Sequence, residues 1–240
     1  KDIRKLRIDE EIAGRAYQKE AVRRVAEEFV RNKQEKITGG GRKALIVMAT
    51  GAGKTRTAAS MVDVLVRGNW VKRVLFLADR NALVTQAQGQ FKAMLPNLSS
   101  IDLTREEPDD STRLVFSTYP TIMNRIDSAR NEAQRVYGIG HFDLVIVDEA
   151  HRSVYDKYRA IFNYFDSLLL GLTATPREQA DRDTYALFDC EEGNPTMAYE
   201  LDQAITDGWL VGIKGFDVDL GFMQRGRSEE HTSELQSLSH

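Results

Sequence analysis

The run VMATGAGKTRTAAS, Val47 to Ser60, passes from an apolar extended segment through two glycines into a helical pattern, with Lys54 in the first helical turn. The start of a helix carries partial positive charge and disfavours a cation. A lysine placed there implies an anion able to neutralise the helix dipole, the exposed amides and the ammonium together. A triphosphate with its magnesium ion meets that demand. Gly51 and Gly53 let backbone amides approach phosphate oxygens, Lys54 reaches the outer phosphates, and the Thr55 hydroxyl meets the metal. The candidate nucleotide-binding stretch is therefore Thr50, Gly51, Ala52, Gly53, Lys54, Thr55 and Arg56. The general pattern G-x-x-x-x-G-K-[ST] asks for glycine at position 48, where this chain has Met48; Ala49 to Thr55 keep the glycines that face phosphate.

A second constellation is VDEAH, Val147 to His151, which closes another apolar run. Two adjacent carboxylates can divide labour: Asp148 binds magnesium, usually through water, and Glu149 orients and polarises an attacking water. Taken alone, Asp148 could simply cap the next helix. A phosphate loop on the same edge of the molecule favours the chemical reading. His151 taken alone reads as a solvated side chain, but beside this pair it can report on the nucleotide. TATP, Thr173 to Pro176, follows a further apolar strand; its hydroxyls could bridge the acidic pair to a neighbouring surface, although Thr before Pro is also ordinary turn chemistry. GGGRK, Gly39 to Lys43, precedes a strand instead of a helix and reads as a flexible loop.

These residues need a scaffold, and the apolar periodicity supplies one. Val22, Val25, Phe29 and Val30 share one helical face of RAYQKEAVRRVAEEFVRN. ALIVMAT, KRVLFLAD, TRLVFST, FDLVIVDE and SLLLGLTAT read as strands. KTRTAASMVDVLVRG, with Gly68 as its stop, NALVTQAQGQFKAML, ended before Pro96, a segment from about Tyr119, and DKYRAIFNYF read as helices. Strands such as LVIV and ALIVM are apolar on both faces, as in the centre of a parallel sheet covered by helices. The predicted fold is a doubly wound α/β sandwich with a mostly parallel sheet. Its ligands bind beyond the carboxyl ends of the strands. ATGAGKT, ADRN, STYP, VDEAH and TATP all fall there.

The bulk properties agree with an ordinary soluble protein: 240 residues, 42% hydrophobic, 29% charged and a formal charge of -3. That charge neither supports nor forbids a nucleic-acid partner, because a local basic groove can coexist with an acidic remainder. The single cysteine, Cys190, excludes an internal disulfide framework and carries no case for reactivity. No stretch is long and apolar enough to span a bilayer, and the amino terminus lacks a signal-peptide core, so the expected location is the cytoplasm, with no membrane partner. The acidic run REEPDD, Arg105 to Asp110, reads as a solvated turn. RSEEHTSELQS, within residues 227–240, is what one frame of a common sequencing-library adapter would encode, and a non-native tail is expected there.

The ordered set YQ, ATGAGKT, LADR, STYPT, VDEAHR and GLTATP resembles the first motor domain of superfamily 2 helicases and translocases, over Arg15 to Pro176. LFLADRNALVTQA, FDLVIVDEAHRS, LLLGLTATPREQADRDTYALF and AYELDQAITDGWLV are similar to the motor (R) subunit of type I restriction enzymes. The resemblance implies a RecA-like P-loop NTPase fold and an ATP hydrolase that uses ATP and Mg2+ to move double-stranded DNA, in company with modification and specificity subunits. It further implies that Gln18, with Arg15 and Tyr17 nearby, contacts adenine. Lys54 and Glu149 would be catalytic, and Thr55 and Asp148 would hold the metal. His151, Thr173 and Thr175 would couple nucleotide state to DNA movement, and Arg80 and Thr118 would touch the DNA backbone. The expected organisation is a helical segment with the adenine motif at 1–36, a motor domain at 37–200, an exit segment at 201–226 and the tail at 227–240. Enzymes of this kind work with a second motor domain and, in type I subunits, a preceding nuclease domain. Neither is expected within this chain, which reads as a fragment that turns over slowly by itself. Another superfamily 2 repair helicase, or a nucleotide-binding regulatory module without turnover, are the alternatives.

Overall fold

Alternating burial organises the strands. In β1 (Lys43–Met48), Ala44, Ile46 and Met48 belong to one hydrophobic cluster, while Leu45 and Val47 belong to another. The same alternation separates Val74, Phe76 and Ala78 from Leu75 and Leu77 in β2 (Val74–Ala78), and Leu144 and Ile146 from Val145 and Val147 in β5 (Leu144–Asp148). A strand sends successive side chains to opposite faces, so a strand apolar at every position must be covered on both.

The computed structural model describes residues 1–35, 41–127, 137–149, 152–175 and 182–212. Its sheet has seven strands, every named pairing parallel, in the order β3 (Ser100–Asp102), β4 (Leu114–Thr118), β2, β5, β6 (Leu168–Thr173), β1, β7 (Met197–Tyr199). Lys1–Leu210 pack as one compact unit. Helices α1 (Ala16–Glu35), α2 (Lys54–Arg67) and α3 (Asn81–Met94) contribute to the first cluster; α4 (Tyr119–Asp127), α5 (Arg152–Tyr164) and α6 (Arg182–Leu187) contribute to the second. The fold is thus the expected doubly wound, RecA-like α/β domain, and its sheet is parallel throughout the named strands.

The five long strands fall where the apolar runs predict them. Two three-residue strands, β3 and β7, extend the sheet at its edges without an apolar signal of their own. Asp207-Gly208 closes a short helix, α7 (Leu201–Thr206), and Trp209–Gly212 are not strand. Part of the glycine loop at 39–43, His151, Pro176, the rest of the exit segment and the tail at 227–240 lie outside the described residues.

Two glycines show how local freedom serves packing. Gly68 ends α2 in a right-handed conformation, and Asn69 takes the left-handed turn at φ 59°. Gly68 is small because a Cβ there would lie 2.5 Å from Ile3 Cγ2. Gly171, inside β6, lies under the ring of Phe188: a Cβ would come within 2.4 Å of Cζ, and that ring is buried. Overpacking a tight core costs about 1–3 kcal/mol. Gly171→Ala is therefore expected to lower the unfolding free energy by about that amount, read as a drop in the urea midpoint. In a Phe188→Leu background the same change should cost less; an unchanged cost would contradict the packing assigned to this pair.

Candidate functional site

The site is assembled by strand order. β6 lies between β1 and β5, with Val47 in register with Thr173 on one side and Leu172 with Asp148 on the other. The carboxyl ends of these three strands therefore bring the loop after β1, the acidic pair and the threonines together, although they stand up to 124 residues apart, from Gly51 to Thr175, in sequence. Lys54 Nζ lies 3.9 Å from Glu149 Oε1 and 3.4 Å from the Met48 carbonyl.

The phosphate-loop backbone has the shape its glycines permit. Gly51 and Gly53 stand at φ 83° and 94°, in the left-handed region, and Gly53 is the N-cap of α2. No side chain caps this helix start. Its first amides are thus left to an outside acceptor, next to the positive end of the dipole. Thr50 and Gly51 are exposed, Lys54 and Thr55 partly so, and Ala52 is buried. Met48 explains the departure from the general motif: its side chain is fully buried and its backbone belongs to β1, paired with Tyr199, so no glycine is required. A cavity of about 490 Å³ opens beside the loop, walled by Lys54, Thr55 and Arg56 and, from α3, by Gln86 and Gln90.

The first turn of α1, with Arg15 just before it, braces this loop from behind. Gln18 is 2% exposed; its Oε1 accepts from the Arg15 N–H at 3.3 Å, and its Nε2 donates to the Ala52 carbonyl at 3.2 Å. The Tyr17 hydroxyl donates to the same carbonyl at 2.7 Å and accepts from Arg15 Nη1 at 2.8 Å. A Cβ on Gly53 would lie 2.6 Å from Gln18 Nε2, which is why the loop can rest on the glutamine. Arg56 turns away from the loop: its Nε donates to the Ile12 carbonyl at 2.8 Å and its Nη2 to that of Glu11.

The acidic end is held as tightly. The Tyr119 hydroxyl, fully buried at the start of α4, donates to the Asp148 carbonyl at 3.0 Å, and its ring stacks on Tyr158. Burial, then the neighbouring Glu149, push the Asp148 carboxyl up to about 6. Glu149 is at φ 55°, a left-handed conformation that costs a non-glycine residue about 1–2 kcal/mol. Such strain persists only where the surroundings over-determine it. Thr173 is fully buried and its Oγ1 accepts from the Thr175 N–H at 3.1 Å. His151 lies outside the described residues.

The two residues expected on DNA differ in exposure. Arg80 is exposed at the start of α3, with Nε 3.1 Å from Asp79 Oδ2. Thr118 is 6% exposed and its hydroxyl bonds that of Thr121 at 2.9 Å, so it stands under the surface. Residue types alone missed Tyr119 and Tyr199; the only sequence signal for Tyr119 is its place directly after a strand end.

The raised Asp148 carboxyl sets a pH dependence. With its folded pKa above the unfolded value, the folded state holds more protons between about pH 4 and 6, so stability is greatest below that window and falls as pH rises through it. The fall is on the order of 3 kcal/mol at most. Asp148→Asn should flatten this slope in urea unfolding followed from pH 4 to 7 in metal-free buffer; an unchanged slope would contradict the burial assigned to the group.

Comparison with known proteins agrees with this geometry. Residues 11–178 match the family described as type III restriction enzyme, res subunit. The chain is 32% identical over 227 residues to the type I restriction enzyme EcoKI endonuclease subunit of Escherichia coli (strain K12), covering 84% of this chain and 18% of that subunit. A solved fragment described as an HsdR subunit of a type I restriction enzyme, from Vibrio vulnificus YJ016, superposes with a TM-score of 0.56 at 30% identity, over 81% of this chain and 32% of that one. The helicase domain of Hef from Pyrococcus furiosus shares the fold, with a TM-score of 0.63 at 20% identity, over 87% and 43% of the two chains. The chain spans less than a fifth of the EcoKI subunit's length. With the sheet order, the glycine loop and the acidic pair all in place, this chain belongs to the restriction-enzyme res-subunit family.

Proposed function

We propose that the chain is the ATP-binding motor domain of a cytoplasmic DNA translocase, in which ATP hydrolysis is coupled to movement along double-stranded DNA within a type I restriction system. The observation that carries this reading is the approach of Lys54 to Glu149 beside an uncapped helix start. A polyphosphate bound there has the α2 amides and Lys54 on one side and the acidic pair on the other. These donor groups also suit magnesium, which is commonly bound through one or two carboxylates, with substrate phosphates and waters completing its shell. Among the described residues no cluster of three or more His, Cys, Asp or Glu forms a separate metal cage. A metal held by Thr55 and Asp148 would neutralise charge on the phosphates.

The remaining chemistry belongs to the chain. Lys54 orients the outer phosphates and offsets their charge. Glu149, partly exposed and held at a strained backbone angle, aims its carboxylate at the water that attacks. Arg15, Tyr17 and Gln18 fix the loop from the adenine side. Thr173 and Thr175 carry the state of the site along β6 toward the DNA-facing edge, where Arg80 meets the phosphate backbone. Modification and specificity subunits accompany the motor, and the DNA sequence is read by a separate subunit.

Glu149→Gln should keep Mg-ATP affinity within a few fold and lower hydrolysis by about 10²–10⁴-fold. Binding is measured on this chain, and turnover on the chain joined to a second motor domain, with and without duplex DNA. Turnover unchanged by the substitution would remove Glu149 from its role. Binding without any turnover in the joined wild-type protein would favour a regulatory nucleotide module.

A further inference from the structure

The stretch from Tyr199 to Leu210 has no task in the reading above, yet it ends against the phosphate loop. α7 stops at Gly208, whose φ of 75° is left-handed. The Gly208 N–H donates to the Ile205 carbonyl at 3.0 Å and the Trp209 N–H to that of Ala204 at 2.9 Å. This pair of bonds is a Schellman ending, which folds the chain back over its own helix. It delivers Leu210 to the loop, with Cδ2 3.3 Å from where a Cβ on Gly51 would stand. It delivers Trp209 to Arg15, whose guanidinium carbon lies 4.5 Å from the centroid of the indole ring.

The indole is itself held in place. Its ring meets Tyr17 edge-on at 6.4 Å and 69°, and Tyr17 stacks flat on Tyr199 at 3.8 Å and 9°. The Tyr199 hydroxyl donates to Asp207 Oδ2 at 2.8 Å, directly before the turning glycine. Arg15 thus has two constraints on its guanidinium: a hydrogen bond from Nη1 to the Tyr17 hydroxyl and the indole ring of Trp209 beneath its central carbon. Together they restrict how the guanidinium can turn. A guanidinium plane stacks well on aromatic surfaces. Gln18 cannot supply such a surface, because it is buried and both ends of its amide are engaged.

We propose that Trp209 is a positioning residue for nucleotide binding: it holds the Arg15 guanidinium flat, so that the second face of Arg15 becomes the platform on which the purine base stacks. The proposal rests on the nucleotide reading of the phosphate loop and adds to it a determinant of base affinity that lies 155 residues beyond Lys54. Phosphate contacts do not depend on Trp209; base contacts do.

Two ligands separate these contributions: Mg-ADP, which has a base, and magnesium tripolyphosphate, which has none. Trp209→Ala should weaken Mg-ADP by about tenfold and leave tripolyphosphate unchanged within about twofold, both by titration calorimetry of the whole chain. Trp209→Phe, which keeps an aromatic face, should restore most of the loss. The chain has 2 tryptophans, so a Trp70→Phe background leaves Trp209 as the sole indole emitter. Its fluorescence should change on adding Mg-ADP and stay constant with tripolyphosphate. Equal weakening of both ligands, or undiminished ADP affinity in Trp209→Ala, overturns the role of Trp209. A parent chain that binds neither ligand overturns the nucleotide reading itself.

Discussion

The meeting of Lys54 with Glu149 is the constraint around which the rest of the domain is arranged. An ammonium at the positive end of a helix is unfavourable by itself, and a carboxylate in a half-buried crevice is too. Each is tolerable near the other, at 3.9 Å, and both are satisfied further by a bound anion with its metal. That proximity depends on β6 holding β1 and β5 one strand apart. A one-residue slip in either pairing would turn Thr173 or Asp148 to the opposite face and dissolve the site.

The burial of the surrounding strands makes such a slip costly. Val47, Val145, Val147 and Leu169 enter one hydrophobic cluster while Ile46, Leu144, Ile146 and Leu170 beside them enter the other, so register is enforced from both faces. Against that rigid frame the functional positions are the ones under stress. Glu149 is in a left-handed conformation, Asp148 carries a raised carboxyl, and α2 begins without a side-chain cap. The Tyr119 hydroxyl on the Asp148 carbonyl, and the Tyr17 and Gln18 side chains on the Ala52 carbonyl, are the restraints that keep the stressed backbone in position.

Much of this was legible in the sequence because it is local. Five strands announce themselves as continuous apolar runs, and the glycine-lysine turn and the acidic pair sit at fixed offsets from two of them. What escaped is long-range. β7 has three residues and no periodicity; it is a strand because Met197–Tyr199 find the free edge of β1. Gly68 is the helix stop it reads as, but the reason for its small size, the close approach of Ile3, and the left-handed turn at Asn69 are not local signals. Gly171 is explained only by Phe188, and Met48 only by the buried position that spares it from being glycine. The resemblance assigns contact roles to Gln18 and Thr118 without saying how exposed they are, and both are buried with their polar atoms engaged.

The most direct measurement is the thermal midpoint of the chain with and without saturating Mg-ADP, compared between wild type and Lys54→Ala. Ligand at about 100 times its Kd stabilises the folded state by about 2.7 kcal/mol, so the wild-type midpoint should rise by several degrees and that of the variant should stay where it is. An equal rise in both proteins would mean that the nucleotide binds without the lysine, and that the charge cluster at the start of α2 serves some other end.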